Sequence, residues 1–277
     1  MIQISDHVYA DRPLAADEGL QFGRGVFETI LVLRRPLFWQ AHCRRLNQGL
    51  ADLAIRLPVE SPEHAAAAKG EHPAVDPDML LAQVEHLGIR SCVLKVLVTA
   101  ENLVLMTRPI PAAGPDPVQR LTMRPDSRGT DARLLHNKTL SYLPSLLAWQ
   151  DARTCGFDDV LFYDSEGMIH SRRSSMIREC SRSNIYFIRG SRILTPDDCC
   201  GLLPGVVRQW LLDDGQVSPG CFTPADILAA DCVFVSNSVV GIRRVCEIDG
   251  HPFGDHPLLQ KIISRYQTLI IEPAQRP

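Results

Sequence analysis

Residues 136–147 read His-Asn-Lys-Thr-Leu-Ser-Tyr-Leu-Pro-Ser-Leu-Leu, and the organisation of the chain is read outward from them. A polar start gives way to leucines at 140, 143, 146 and 147, the spacing of one helix face. That spacing predicts an amphipathic helix with Lys138 at or just before its N-terminus. Pro144 would fall in the first turns, where a missing N–H matters least. Tyr142, four residues on, is expected on the same face as Lys138. A lysine so placed meets the partial positive charge of unpaired N–H groups, and with burial this lowers an amine's pKa and favours attack on a carbonyl. Most lysines at helix starts are solvated surface groups, so the downstream elements must decide.

Length and composition narrow the classes. The 277 residues suffice for one large domain or two ordinary ones, with the 45% hydrophobic and 22% charged content of a globular protein. A net charge of −3 gives no support for nucleic-acid binding. No apolar run approaches the ~18 residues of a membrane span, and residues 1–14 lack a basic region followed by an apolar core. Nine cysteines, including the adjacent Cys199 and Cys200, show no zinc-ligand spacing and no regular framework. They read as reduced thiols of a cytoplasmic protein without a metal.

Along the chain, Gly19–Leu33 leads through two glycines into a β-branched run, followed by a turn at Arg34-Arg35-Pro36 and a short strand at Leu37–Trp39. His42–Leu57 carries leucines at 46, 50, 53 and 57 and reads as a helix. Residues 58–77 are rich in Pro, Ala, Glu and His and read as a surface loop. Asp78–Gly88 is a plausible helix; Ser91–Ala100 and Leu103–Thr107 form a hairpin turned at Glu101-Asn102. Pro109–Pro117, with three prolines before position 116, reads as a linker. This suggests a domain over 1–110, a linker at 111–117 and a larger domain over 118–277. In that second part, strands are expected at 118–123, 159–163, 184–188 and 232–236, a turn at Ser165-Glu166-Gly167, a short helix after Gly205 and an amphipathic helix over His256–Ile271. Met168–Ser175 and Met176–Ser183 resemble a tandem duplication, of which one copy would be an insertion forming an exposed Arg/Ser-rich loop.

Four features stand in fixed order: FGRGVFET (22–29) with HCRRL (42–46); Lys138; ECSRSN (179–184); and LTPDDCCGLLPGVVR (194–208) with FVSNSVVGI (234–242). Together they resemble the fold-type IV, class IV pyridoxal-phosphate enzymes, which comprise branched-chain aminotransferases, D-amino-acid aminotransferases and 4-amino-4-deoxychorismate lyases. The resemblance implies a mixed α/β fold, two α/β domains with pyridoxal 5'-phosphate at their interface, and a homodimer. It makes Lys138 the Schiff-base lysine, Glu179 the carboxylate on the pyridine nitrogen with Asn184 beside it, and Arg45 a phosphate ligand, with neighbouring Arg44 an open alternative. Val206 and Val207 backbone and the Ser238 hydroxyl would complete the phosphate cup, and Tyr142 would reach the 3-oxygen or simply pack.

The chemistry asks for the same groups: N–H donors and a fixed cation for a phosphate, a carboxylate that keeps the ring an electron acceptor, and an amine that moves protons. Phe27 and Thr29 alternate onto one strand face, which the resemblance makes the substrate pocket. Arg24 replaces the acidic residue usual in FGDG. The hairpin lacks the Tyr-x-Arg-Pro and Arg-x-His elements of the transaminase subgroups, which favours the lyase of folate biosynthesis, releasing pyruvate and 4-aminobenzoate. Arg24, Arg108 and Arg243 stand unranked as partners for its carboxylates. A class IV aminotransferase for branched-chain or D-amino acids, and an inactive protein of the same fold, stay open.

Overall fold

The computed structural model describes residues 2–5, 7–57, 74–112, 118–164 and 175–271. Residues 58–73 of the expected loop, 113–117 of the expected linker, the turn at 165–167 and most of the first octapeptide copy lie outside these. The chain divides into two compact units, Met1–Ile110 with Asn137–Tyr142, and Pro111–His136 with Leu143–Pro277.

The first unit is built on a five-stranded antiparallel sheet. Its strands are β1 (Ile2–Ser5), β2 (Val8–Ala10), β3 (Gly25–Val32), β4 (Cys92–Thr99) and β5 (Leu103–Arg108), in the order β1-β2-β5-β4-β3. The expected hairpin is β4–β5. Helix α1 (Glu18–Phe22) precedes β3; Asp17 caps it by accepting from Leu20 N at 3.1 Å, and Gly23 ends it at φ 74°. The run from Gly19 therefore enters the strand only after a helical turn. Every residue of β3 except Thr29 is buried, because α2 (Trp39–Asp52) packs Cys43, Leu46 and Leu50 against Val26, Ile30 and Leu94. Helix α3 (Pro77–His86) starts where Asp76 accepts from Asp78 N and Met79 N.

Two boundaries differ from the sequence pattern. Trp39 opens α2 instead of ending a strand, and α2 stops at Asp52, five residues before Leu57. Ala54 takes a left-handed φ of 50°, and Ile55 N turns back to Leu50 O at 2.9 Å. The leucine period runs on past that reversal because Leu53 and Leu57 still reach the core.

The second unit holds a nine-stranded mixed sheet. Its strands are β6 (Gln119–Pro125), β7 (Asp159–Asp164), β8 (Met176–Cys180), β9 (Asn184–Arg189), β10 (Arg192–Pro196), β11 (Val217–Gly220), β12 (Cys232–Asn237), β13 (Gly241–Ile248) and β14 (His251–Pro252). The order is β11-β10-β9-β12-β13-β6-β7-β8, with β14 on β13. β6 and β7 are parallel, which demands a crossover; α4 (Ala132–His136) and α5 (Leu143–Thr154) lie along it. Helices α6 (Val206–Asp213), α7 (Pro224–Leu228) and α8 (Pro257–Ile271) complete the unit.

The helix expected from Lys138 begins only at Leu143. The segment before it is extended: Phe27 N donates to Lys138 O at 2.8 Å, Leu140 N to Gly25 O at 2.9 Å, and Val26 bridges Thr139 antiparallel. The edge of β3 offers unpaired backbone groups, and this pairing satisfies them better than another helical turn would. Leu143, Leu146 and Leu147 are 60%, 41% and 48% exposed, so the leucine stripe is not a core face; Ser145 and Ala152 are buried instead. The second octapeptide copy is no exposed loop either. Arg178, Glu179, Ser181 and Ser183 are all buried, since β8 pairs with β7 and Arg178 NH1 meets Asp126 at 2.7 Å.

Candidate active site

In the first unit, the start of β3 and the paired segment 137–142 bring Lys138 to aromatic rings. Its Nζ lies 4.3 Å from the Phe27 ring centroid and 4.7 Å from that of Tyr142. The two rings meet edge-on at 5.3 Å. Tyr142 is thus brought beside Lys138, by the extended segment and not by a shared helix face. Without a helix N-terminus at Lys138, the dipole argument for its reactivity does not apply. Asn137 Nδ2 donates to Asp52 Oδ2 at 3.0 Å, fastening the segment to the end of α2. Gly49 allows this approach, since a Cβ there would lie 2.9 Å from Val26 Cγ1 and 3.3 Å from Asn137 Oδ1.

Beneath this lies a buried charge network. Arg45 donates through Nε and NH2 to the two oxygens of Glu28, both at 2.7 Å, and His42 Nδ1 donates to Glu28 Oε2 at 2.7 Å. Burial would raise the Glu28 carboxyl, but Arg45 and His42 bring it down to about 2. Burial lowers His42, against the pull of Glu28, and its buried Nε2 makes no hydrogen bond. The guanidinium is fixed by a bidentate carboxylate, the arrangement that orients an arginine most rigidly. Glu28 and His42 were legible only as letters of the two quoted motifs.

Lys95 was missed. It faces Thr29 across β3–β4, and its Nζ lies 4.3 Å from the same Phe27 ring. Burial, then Arg108, lowers its pKa. Its only signal was the position in VLKV of a cation inside an apolar strand. Arg24 is exposed and already held by the Glu18 carboxylate and the carbonyls of Leu53 and Ala54 at 3.1 and 3.0 Å.

In the second unit, Glu179 is set on β8 with its side chain buried. Oε1 accepts from Arg128 NH1 at 2.7 Å, Oε2 from Asn184 Nδ2 at 3.4 Å, and the backbone of Leu203 donates as well. Burial nevertheless raises its carboxyl, with Arg128 opposing. Arg128 is itself clamped by Asp126 at 2.8 Å and stacked 4.5 Å from the Phe162 ring. Arg128 lies in an aperiodic loop, where sequence patterning carries no signal.

Asn184 Nδ2 also donates to Leu203 O at 2.8 Å, tying β9 to the loop before α6. Val206 and Val207 open α6, whose N-cap Gly205 supplies no side-chain bond. A Cβ on Gly205 would lie 1.9 Å from Asn184 Oδ1, so the loop closes there only as glycine. Ser238 is half-buried in the turn after β12, where Asn237 Oδ1 accepts from Val239 N and Val240 N, both at 2.9 Å.

Each unit thus carries part of a recognisable set: an amine between rings with a fixed arginine, and a buried carboxylate near a helix start that no side chain caps. The amino-transferase class IV family model matches residues 25–248, and the chain belongs to that family. The D-alanine aminotransferase of Listeria monocytogenes is 26% identical over 262 residues, spanning 86% of this chain and 83% of that protein. A crystal structure of 4-amino-4-deoxychorismate lyase from Pseudomonas aeruginosa is similar at TM-score 0.72 and 25% identity, covering 94% of this chain and 98% of the other. The pyridoxal-phosphate-bound form of a hypothetical aminotransferase from Mycobacterium tuberculosis has the same fold, with TM-score 0.73 at 22% identity, over 97% and 100% of the two chains.

Proposed function

We propose that this class IV enzyme is a pyridoxal-phosphate-dependent lyase that converts 4-amino-4-deoxychorismate to 4-aminobenzoate and pyruvate. The cofactor is that of the family, and the residues fit it. A buried carboxylate whose charge is penalised by desolvation suits a protonated ring nitrogen. A helix start without a side-chain cap suits a phosphate.

When bound, the cofactor supplies an electron sink for the carbon that bears the substrate amine. Lys138 is the covalent anchor and, once released, the base that takes the proton from that ring carbon. Glu179, steadied by Arg128 and Asn184, holds a proton on the pyridine nitrogen. The N–H groups of Val206 and Val207, the Ser238 hydroxyl and the Arg45 guanidinium bind the phosphate, with Glu28 fixing Arg45. Phe27 and Tyr142 shield the amine from water, and Thr29 lines the pocket. Lys95 is the cation best placed within the first unit for a substrate carboxylate. The enolpyruvyl C–O bond breaks, the leaving enolate takes up the proton held by Lys138 and departs as pyruvate, and the ring becomes aromatic.

One observation carries the lyase over the transaminase. The β4–β5 turn supplies no arginine, lysine or histidine of its own; Arg12 reaches it from the chain after β2 and donates through Nε to Glu101 O at 3.0 Å, and the turn's other polar groups are spent within the first unit. Asn102 donates to Ala15 O and Thr99 Oγ1, both at 3.0 Å, and Glu101 N donates to Asp17 at 2.9 Å. The similarity to the Pseudomonas lyase supports the same reading. The alternative, an aminotransferase of branched-chain or D-amino acids, is favoured by the Listeria relative. Incubation with aminodeoxychorismate and no keto acid distinguishes them: 4-aminobenzoate must accumulate over many turnovers. Turnover only with an amino donor and a keto-acid acceptor would overturn the lyase.

A homodimer belongs to the same proposal. Leu143, Leu146 and Leu147 expose a leucine face on α5 that a second copy would cover, and light scattering at twice the chain mass tests it. No helix among the described residues is long and apolar enough to cross a membrane.

A further inference from the structure

Nine cysteines without regular spacing gave no site in the sequence, yet the second unit gathers three of their sulfurs. The Sγ atoms of Cys199, Cys200 and Cys221 all lie within 4.8 Å of one another. Cys199 to Cys221 is 3.7 Å and Cys200 to Cys221 is 3.9 Å. None of the three is among the cofactor groups described above.

The backbone builds it. β10 and β11 run parallel with Pro196 opposite Gly220, and Asp197 N donates to Gly220 O at 2.9 Å. Cys221 therefore leaves one strand beside the point where Asp197 leaves the other. Asp197 then caps a single 3-10 turn, Asp198–Cys200, accepting from Cys199 N at 2.9 Å, and Gly201 closes it at φ 78°. That tight turn lets two consecutive cysteines face the same third sulfur. The Asp197 carboxylate is also hydrogen-bonded to the Cys199 thiol, so a carboxylate oxygen stands at the Cys199 edge of the cluster, outside the 4.8 Å within which the three sulfurs meet.

We infer that Cys199, Cys200 and Cys221 form a binding site for a thiophilic divalent cation of the zinc type, with the Asp197 carboxylate or a water as fourth ligand. Two Zn–S bonds of ~2.3 Å at a tetrahedral angle hold their sulfurs ~3.8 Å apart, and two of the three separations already have that value. A disulfide requires its sulfurs ~2.05 Å apart, so these thiols must move toward each other to form one, whereas the two pairs to Cys221 already stand at the spacing an ion would hold. Cys199 is exposed and Cys200 buried, giving the cluster an entry side and a closed side. Binding replaces thiol protons with the ion and involves no change of oxidation state. The ion would fasten the β10 and β11 ends together, on the loop that continues through Leu203 to Gly205.

The test uses cofactor-loaded protein kept reduced, stripped with a chelator and titrated with zinc chloride. Native mass spectrometry should show one retained ion per chain, and zinc-edge X-ray absorption should show three sulfurs at ~2.3 Å. Zinc should raise the melting temperature of the wild type and of the Cys155→Ser control. Cys199→Ser and Cys221→Ser should melt like the ion-free wild type and lose at least tenfold in zinc affinity. Fewer than three sulfurs, no retained ion, or undiminished binding in Cys221→Ser would overturn the inference. So would peptide mapping of untreated protein that finds Cys221 in a disulfide with Cys199 or Cys200.

Discussion

Replacing Glu28 by Gln tests the buried network that positions Arg45. The change keeps the shape of the side chain and removes the charge that Arg45 and His42 share. Its cost follows from proton affinity. The Glu28 carboxyl lies at about 2 in the folded chain against an ordinary 4.5, and at ~1.4 kcal/mol per tenfold change this is about 3 kcal/mol of stability at neutral pH. The figure agrees with the ~3–5 kcal/mol lost when one partner of a buried pair is removed. Because the folded value is depressed, the contribution is complete well above pH 4.5 and is lost as the pH falls toward 2. The gap between wild type and Glu28→Gln should therefore be about 3 kcal/mol at pH 7 and shrink to about 1 kcal/mol at pH 3. Urea unfolding at the two pH values, with cofactor removed from both proteins, reads this directly. A gap below ~1 kcal/mol at pH 7, or one that does not narrow in acid, would refute the assigned network.

Three further outcomes are expected. Lys138→Ala should lose the visible absorbance of bound cofactor and at least ~10²-fold in turnover, while unfolding like the wild type. Glu179→Gln should keep the cofactor but cut kcat by ~10²-fold, with little change in KM; an unaltered kcat would remove Glu179 from the site. Gly205→Ala must push Asn184 aside, and the distorted helix start should weaken cofactor affinity by about tenfold, ~1.4 kcal/mol, measured by fluorescence titration.

Both helix-length signals and strand composition were local enough to be read from the chain. The hairpin over Cys92–Arg108 and the helices at Pro77, Val206 and Pro257 fall where periodicity and turn residues put them. The motif letters also named the family, since a lysine, an E-x4-N and a Gly-Val-Val in fixed order are a linear record of one site. Stretch 136–147 failed in an instructive way. Its leucine period specifies an apolar face but not when the helix starts, and the start was decided by the open edge of β3, which is remote in sequence. The spacing predicts one apolar helix face, and the folded chain leaves Leu143, Leu146 and Leu147 exposed and buries Ser145 instead.

The sequence alone determined the family, the element types and the order of the chemical groups, because each depends on neighbours within a few residues. Only the folded chain decided that Glu28 locks Arg45, that Arg128 steadies Glu179, that Lys95 shares a ring with Lys138, and that three unpatterned cysteines meet. Those are contacts between residues from 17 to 51 positions apart in the two ion pairs. Such contacts follow from sheet register and strand order, which no local periodicity encodes.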